Sequence, residues 1–206
     1  MQQLTQAPVV LALIGLTVAV SMLAWRDPRL LERLSYEPLA VGRGEVWRLL
    51  THGFVHADGQ HLAFNMITLF FFGAAMESIL TERIGALGFA GFYLAGIGIA
   101  ILPTHLRHRG DTRYRGLGAS GGVAAVLFSY ILLQPWSLLF VFFVPVPAIL
   151  FAGAYMAYSI WAQQQARDSI NHSAHLWGAA WGVCFMALLE PAVIPAFLTR
   201  ISEIPI

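Results

Sequence analysis

Apolar residues in this chain come in long unbroken stretches rather than in alternating or one-sided patterns. The first, APVVLALIGLTVAVSMLAW, runs from about residue 7 to 25 without a charge or a polar stripe. Five more follow, at about 60–80, 84–104, 117–134, 136–160 and 174–190. Each meets the roughly 20 residues that a helix needs to cross about 30 Å of hydrocarbon. A helix that is apolar all round is covered on every side, by lipid or by other helices. The pattern predicts an all-α fold: a polytopic membrane helix bundle of six transmembrane helices, one domain covering 1–206. Six spans use roughly 120 residues at that length, so no separate soluble domain is expected. No internal repeat is visible.

Composition sharpens this picture. The 206 residues are 58% hydrophobic and 11% charged, with mean hydropathy +0.68. Soluble domains average about 45–50% apolar and about 25% charged. A disordered chain is excluded, because it would be charge-rich and apolar-poor. Twelve basic and eleven acidic residues leave a formal charge of +1, too little for a basic field that holds nucleic acid. Cys184 stands alone, so no disulfide framework is expected. Residues 1–25 read as a span rather than a signal peptide, having no basic residue at the start and no small-residue cleavage site.

The connections are uneven. Those after spans two and four are expected to be a few residues each, around Thr81–Arg83 and Gln134–Pro135. The first, about Arg26–Gly59, mixes Asp27, Arg29, Arg33, Glu37 and Arg43 with Leu30, Leu31, Leu34 and Trp47. That mixture predicts a structured first loop lying in the interface. The third, His105–Arg115, is basic, and the fifth, Trp161–Ile170, is polar. Every basic residue is arginine, and ten of the twelve lie in the first, third and fifth connections. Cytoplasmic loops carry an excess of positive charge, so this bias places the N-terminus outside.

Strongly polar side chains within spans are costly and point to function. Span two opens with HLAFN, which sets His61 and Asn65 four apart on one helical face. Span four opens with GLGASGG around Ser120, and span six with NHSAHLWGAAWG, containing Asn171, His172 and His175. Spans two, four and six run in the same direction, so the three clusters share a depth. A serine becomes a nucleophile when a neighbouring histidine takes its proton. Free N–H groups at a helix start, with side-chain donors such as His61 and Asn65, can hold the oxyanion that follows. Taken singly, the glycines around Ser120 and those after His175 also fit close helix packing, and His61 with Asn65 fits an interhelical hydrogen-bond pair. Acyl transfer is the chemistry that uses all three together.

These residues resemble the rhomboid intramembrane serine proteases of the compact six-span type. The stretch EVWRLLTHGFVHADGQHLAFN, Glu45–Asn65, is similar to the family's first-loop and second-helix signature. GASG at Gly118–Gly121 is similar to its nucleophile motif, and AHLWGAAWG at Ala174–Gly182 to its sixth-helix motif. The resemblance covers roughly residues 40–190. It implies a Ser120–His175 dyad with no aspartate partner, Asp168 being a loop residue. It implies an oxyanion hole of the Ser120 N–H, His61 and Asn65, and a nucleophile turn shaped by Gly118 and Gly121. His56 would be structural or would order water, Trp47 and Arg48 would anchor the first loop in the interface, and Glu77 would be structural. The implied partners are the lipid bilayer and a single-span transmembrane protein substrate, which reaches the site between spans two and five past a lid at Trp161–Ile170. VPVPAI at Val144–Ile149 would bend span five, because proline removes helix hydrogen bonds. No cofactor or metal is implied, and the expected location is a bacterial inner (plasma) membrane, with the N-terminus in the cytosol against the arginine bias. One departure stands out. Many members carry an aromatic residue four positions after the serine, stacked on the histidine, and here that position is Ala124.

Rival readings remain open at this level. The pairs His52–His56, His105–His108 and His172–His175 have spacings found in metal-ligating helices, as in a membrane metal oxidase. A catalytically inactive client-binding relative and a transporter are the other two. Oligomeric state is not readable.

Overall fold

The computed structural model describes residues 7–141, 143–165 and 171–203. Its long helices form a bundle around a short central one. Helix α1, Pro8–Arg26, starts with proline at its first turn, where a missing N–H costs nothing. The next two N–H groups, of Val9 and Val10, donate to the two carboxylate oxygens of Glu77 at 2.9 and 2.7 Å. Glu77 is only 2% exposed. Its charge meets the positive end of the α1 dipole and satisfies two donors that the helix cannot.

The first connection is folded, as its composition predicts. It holds three short helices, α2 (Pro28–Leu34), α3 (Pro38–Gly42) and α4 (Arg48–Thr51), then a 3-10 turn at His52–Phe54. Asp27 caps α2 by accepting from the Arg29 N–H at 2.9 Å. Tyr36 is fully buried and exchanges two backbone hydrogen bonds with Gly116, at 2.8 and 3.0 Å. The loop is thereby knitted to the strand of chain that leads into the central helix. Arg48 corrects an expectation. It is not an outward interfacial anchor but is buried, donating to Glu45 at 2.7 Å, to the Ser35 carbonyl at 2.7 Å and to the Glu32 carbonyl at 2.5 Å. A guanidinium inside the loop finds partners only there, because its donors fan out in a fixed plane. Trp47 does face outward, at 44% exposure.

Helix α5, Gly59–Thr68, is capped by Asp58, whose carboxylate accepts from the His61 N–H at 2.8 Å. It passes through a π-helical turn at Leu69–Gly73 into α6, Ala74–His108. The chain reverses within that run at Gly85, with φ 72° and ψ 169°, a conformation open only to glycine. Two helical arms meet at Gly85, in place of the few-residue connection expected around Thr81–Arg83. Helix α7, Ser120–Leu133, has 14 residues. At 1.5 Å per residue it is about 21 Å long, short of the hydrocarbon thickness. Its sides are almost wholly buried, between α6 and helix α9, His172–Leu189. A Cβ on Gly178 would collide with the Gly121 carbonyl, and one on Gly182 with that of Ala125. Small residues let the two backbones touch.

Span five differs from expectation. Residues Leu138–Val141 and Val144–Pro147 form strands β1 and β2 of an antiparallel hairpin, and helix α8 begins only at Ala148, running to Gln165. Pro145 and Pro147 therefore kink no helix. They occupy alternate positions of β2, leaving Val144 and Val146 to supply its N–H groups. A short apolar run cannot be told from a helix segment by periodicity alone, and its β-branched and aromatic content decided here. The supposed lid is also partly helix, since Trp161–Gln165 continue α8; 166–170, with Arg167 and Asp168, lie outside the described residues. After α9 the chain bends by 113° into α10, Val193–Ser202. Among the described residues, α1 and the run Gly59–His108 are long and apolar enough to cross a membrane, and the bent α9–α10 pair is a third candidate.

Candidate functional site

Ser120 is the first residue of α7, so its own N–H is one of the unpaired donors of a helix start. The turn before it is fixed from three sides. Gly118 has φ +114° and donates its N–H to the His52 carbonyl at 2.9 Å. A Cβ at Gly118 would lie 2.5 Å from Cε1 and 2.8 Å from Nε2 of His61. Glycine is thus required both by the backbone and by the approach of the His61 ring. The N–H of Ala119 donates to His56 Nε2 at 3.2 Å.

That last bond assigns a tautomer. Nε2 accepts, so Nδ1 of His56 carries the proton and donates to Ser21 Oγ at 3.0 Å, which in turn donates to the Phe54 carbonyl at 3.0 Å. Burial, and next the neighbouring His61, lower the His56 pKa from 6.5 to about 3, with Asp58 opposing. His56 is a neutral structural link between α1, the first loop and the turn before Ser120. Its ring stands edge-on to that of His61, with centroids 5.0 Å apart. Asn65 is buried one turn further along α5, and its side-chain amide donates to the His61 carbonyl at 2.9 Å. One amide proton is held in that bond and one remains.

His175 sits in the first turn of α9. Asn171 caps that helix, accepting from the Ala174 N–H at 3.1 Å and from Thr104 Oγ at 3.1 Å. A Cβ at Gly121 would lie 3.8 Å from the Ala174 carbonyl oxygen, so the residues flanking Ser120 and His175 are neighbours. The His175 ring stacks on Tyr155 of α8, with centroids 5.7 Å apart and planes 22° from parallel, and His172 meets it edge-on at 5.7 Å. His56, His61 and Gly118 thus meet at the start of α7 beside Ser120, and Ala174, next to His175, lies against Gly121; Asn65 lies one turn along α5 from His61. Trp47 and Arg48 lie in the first loop.

A small cavity adjoins Ser120, bordered by His52, Ile97, Ala100, Gly118 and Asn171. Water centres can occupy about 20 Å³ of it, room for about one molecule. His52 Nδ1 donates to the Arg48 carbonyl at 2.9 Å, which leaves Nε2 as an acceptor. Burial lowers its pKa from 6.5 to about 4, against the pull of that carbonyl. The Asn171 side-chain nitrogen is buried and finds no partner among the described residues. His52 was visible in the sequence only as a spacing partner of His56, and Asn171 only as a polar residue at a span mouth. The N-cap position before an apolar run could have identified Asn171. Nothing local marks Tyr155.

The histidine pairs of the metal reading are occupied separately. His52 and His56 are held as described, His105 Nδ1 bonds the Tyr36 hydroxyl at 2.9 Å, and His108 stacks on Tyr114 with centroids 4.2 Å apart. Among the described residues no three His, Cys, Asp or Glu side chains gather as a ligand set.

A family profile described as the rhomboid domain matches residues 43–192. The chain is 34% identical to RHOMBOID-like protein 12, mitochondrial, of Arabidopsis thaliana over 149 residues, 66% of this chain and 44% of that protein. It is 30% identical to Rhomboid protein 1, mitochondrial, of Saccharomyces cerevisiae over 192 residues, 89% of this chain and 54% of the relative. It is 28% identical to human Rhomboid-related protein 3 over 127 residues, 60% of this chain and 29% of that one. The chain spans about half the length, or less, of these curated relatives.

Proposed function

The chain belongs to the rhomboid family, and from that premise we propose that it is an intramembrane serine endopeptidase working through Ser120 and His175. Ser120 Oγ attacks the scissile carbonyl carbon while His175 takes the hydroxyl proton. The resulting oxyanion is held by the Ser120 N–H, His61 and the free amide proton of Asn65. Collapse breaks the C–N bond, and His175 returns the proton to the leaving amine. A water then attacks the acyl-serine ester, His175 again taking and returning a proton, and the carboxyl product leaves. The cavity beside Ser120 supports the second half-reaction. Its Asn171 donor and His52 acceptor suit one water molecule, and a buried amide nitrogen without a partner is costly unless something fills that role.

The observation that carries the reading is the glycine-mediated contact of α7 with α9. It brings a helix-start serine and a first-turn histidine to the same end of the bundle. The proposed bundle has six spans: α1, the two arms either side of Gly85, α7, α8 and α9. The substrate is a single-span membrane protein whose helix unwinds locally, since its backbone groups are otherwise satisfied within the helix. Access between α5 and α8 is supported by packing, because α8 rests chiefly on α9, α7 and the hairpin. We assign the protein to a bacterial plasma membrane with a cytosolic N-terminus. The inward use of Arg48 supports that orientation by removing one arginine from the topological balance.

The test is covalent labelling. A fluorophosphonate should modify the purified protein at Ser120 and stop cleavage of a single-span substrate, and Ser120→Ala should remove both. Cleavage that persists in Ser120→Ala would sink the proposal.

A further inference from the structure

In a Ser–His pair without an aspartate, ring packing takes a part in aiming the imidazole. Ala124, four residues after Ser120, has only a methyl group, is 3% exposed and offers no ring. The structure supplies a ring from elsewhere. Tyr155 lies on α8, near-parallel to His175 at 5.7 Å between centroids. It is held on its other sides by Phe151, one turn back on α8 at 5.7 Å and 26°, and by Phe128 of α7 at 5.9 Å. Phe151, Tyr155 and His175 form a continuous column of stacked rings. The i, i+4 relation of the first two fixes their stacking along one face of the helix.

We propose that Tyr155 is the positioning residue for His175, taking over from α8 the task that an aromatic residue at position 124 would perform from α7. It rests on the serine-protease reading and deepens it. Stacked aromatic pairs attract beyond the area they bury, which favours one ring orientation among a few. Tyr155 touches no reacting atom in this scheme. Its effect passes through the aim of the imidazole at Ser120 Oγ, and small misplacements of a base can cost about 100-fold in rate. A loss at this position therefore falls on kcat and spares KM. The face of the ring, not the hydroxyl, does the positioning.

The experiment uses the purified full chain in liposomes with a single-span substrate, measuring kcat, KM and the rate of fluorophosphonate labelling of Ser120. Tyr155→Phe should stay within about threefold of the parent in all three. Tyr155→Leu keeps an apolar side chain in the column and so protects the fold, which a thermal melt would check. It should lower kcat and the labelling rate together by about 10–100-fold while KM stays within about threefold. A Tyr155→Leu protein with the parent's kcat would overturn the proposal, as would a Tyr155→Phe protein as impaired as Tyr155→Leu. A parent that neither cleaves nor takes the label fails at the serine-protease reading itself, a result separable from an active parent indifferent to residue 155.

Discussion

Gly118 shows how narrowly single residues are constrained in this site. Its φ of +114° lies in the region that favours glycine, and its missing Cβ is the space filled by the His61 ring. Gly118→Ala is expected to lose activity by more than 100-fold, because relief requires moving either Ser120 or His61; cleavage assays with a folding control would show it. His61→Ala and Asn65→Ala should each lower kcat by about 10²–10³-fold, the usual effect of deleting one oxyanion donor. As the proposed base, His175 must be neutral, so kcat should fall in acid. A rate profile between pH 4 and 8 tests this. Residue types and spacing made Ser120, His175, His61 and Asn65 legible in the sequence. Tyr155 was not legible, because a stacking partner on another helix leaves no spacing to read.

At the scale of elements, the sequence displayed whatever depends on hydrophobic length. The apolar stretches at about 7–25, 84–104 and 174–190 fold as helix, in α1, α6 and α9. It misjudged the residues before α8, where eight apolar and proline positions pair as a hairpin through partners that periodicity does not encode. It also could not show that Arg48 turns inward, since an arginine reads the same whether it meets lipid headgroups or buried carbonyls. Glu77 is an element-level device, joining the start of α1 to the first arm of α6. Glu77→Gln keeps the shape but withdraws the charge from the helix start. It should destabilise the protein by about 1–2 kcal/mol, read as a lower midpoint of thermal unfolding in detergent, with kcat little changed.

For the whole molecule, the neutral histidines predict an acid limit. His52 and His56 have folded pKa values of about 4 and about 3, below the ordinary 6.5. Below pH 6.5 the unfolded chain takes up protons that the folded chain does not. Stability is complete above that pH and is lost progressively down to about 4 for His52 and about 3 for His56, by up to about 1.4 kcal/mol per pH unit for each. Melting of the Ser120→Ala protein should show this slope, and His56→Gln should flatten it. Both histidines tie the first loop to the turn before Ser120, so acid should release the loop from the nucleophile helix.

The hairpin ahead of α8 also sets how that helix can move. Its base is closed by the Ala148 N–H on the Ser137 carbonyl and the Ile149 N–H on the Pro135 carbonyl, both at 2.8 Å. That makes a pivot at one end of a rigid rod. Tyr155 lies about 10 Å along the rod and Gln165 about 25 Å along it. A tilt of about 5° carries the far tip by about 2 Å but Tyr155 by less than about 1 Å. A lever built this way would part the rim for the proposed substrate helix while the aromatic column stays nearly at rest.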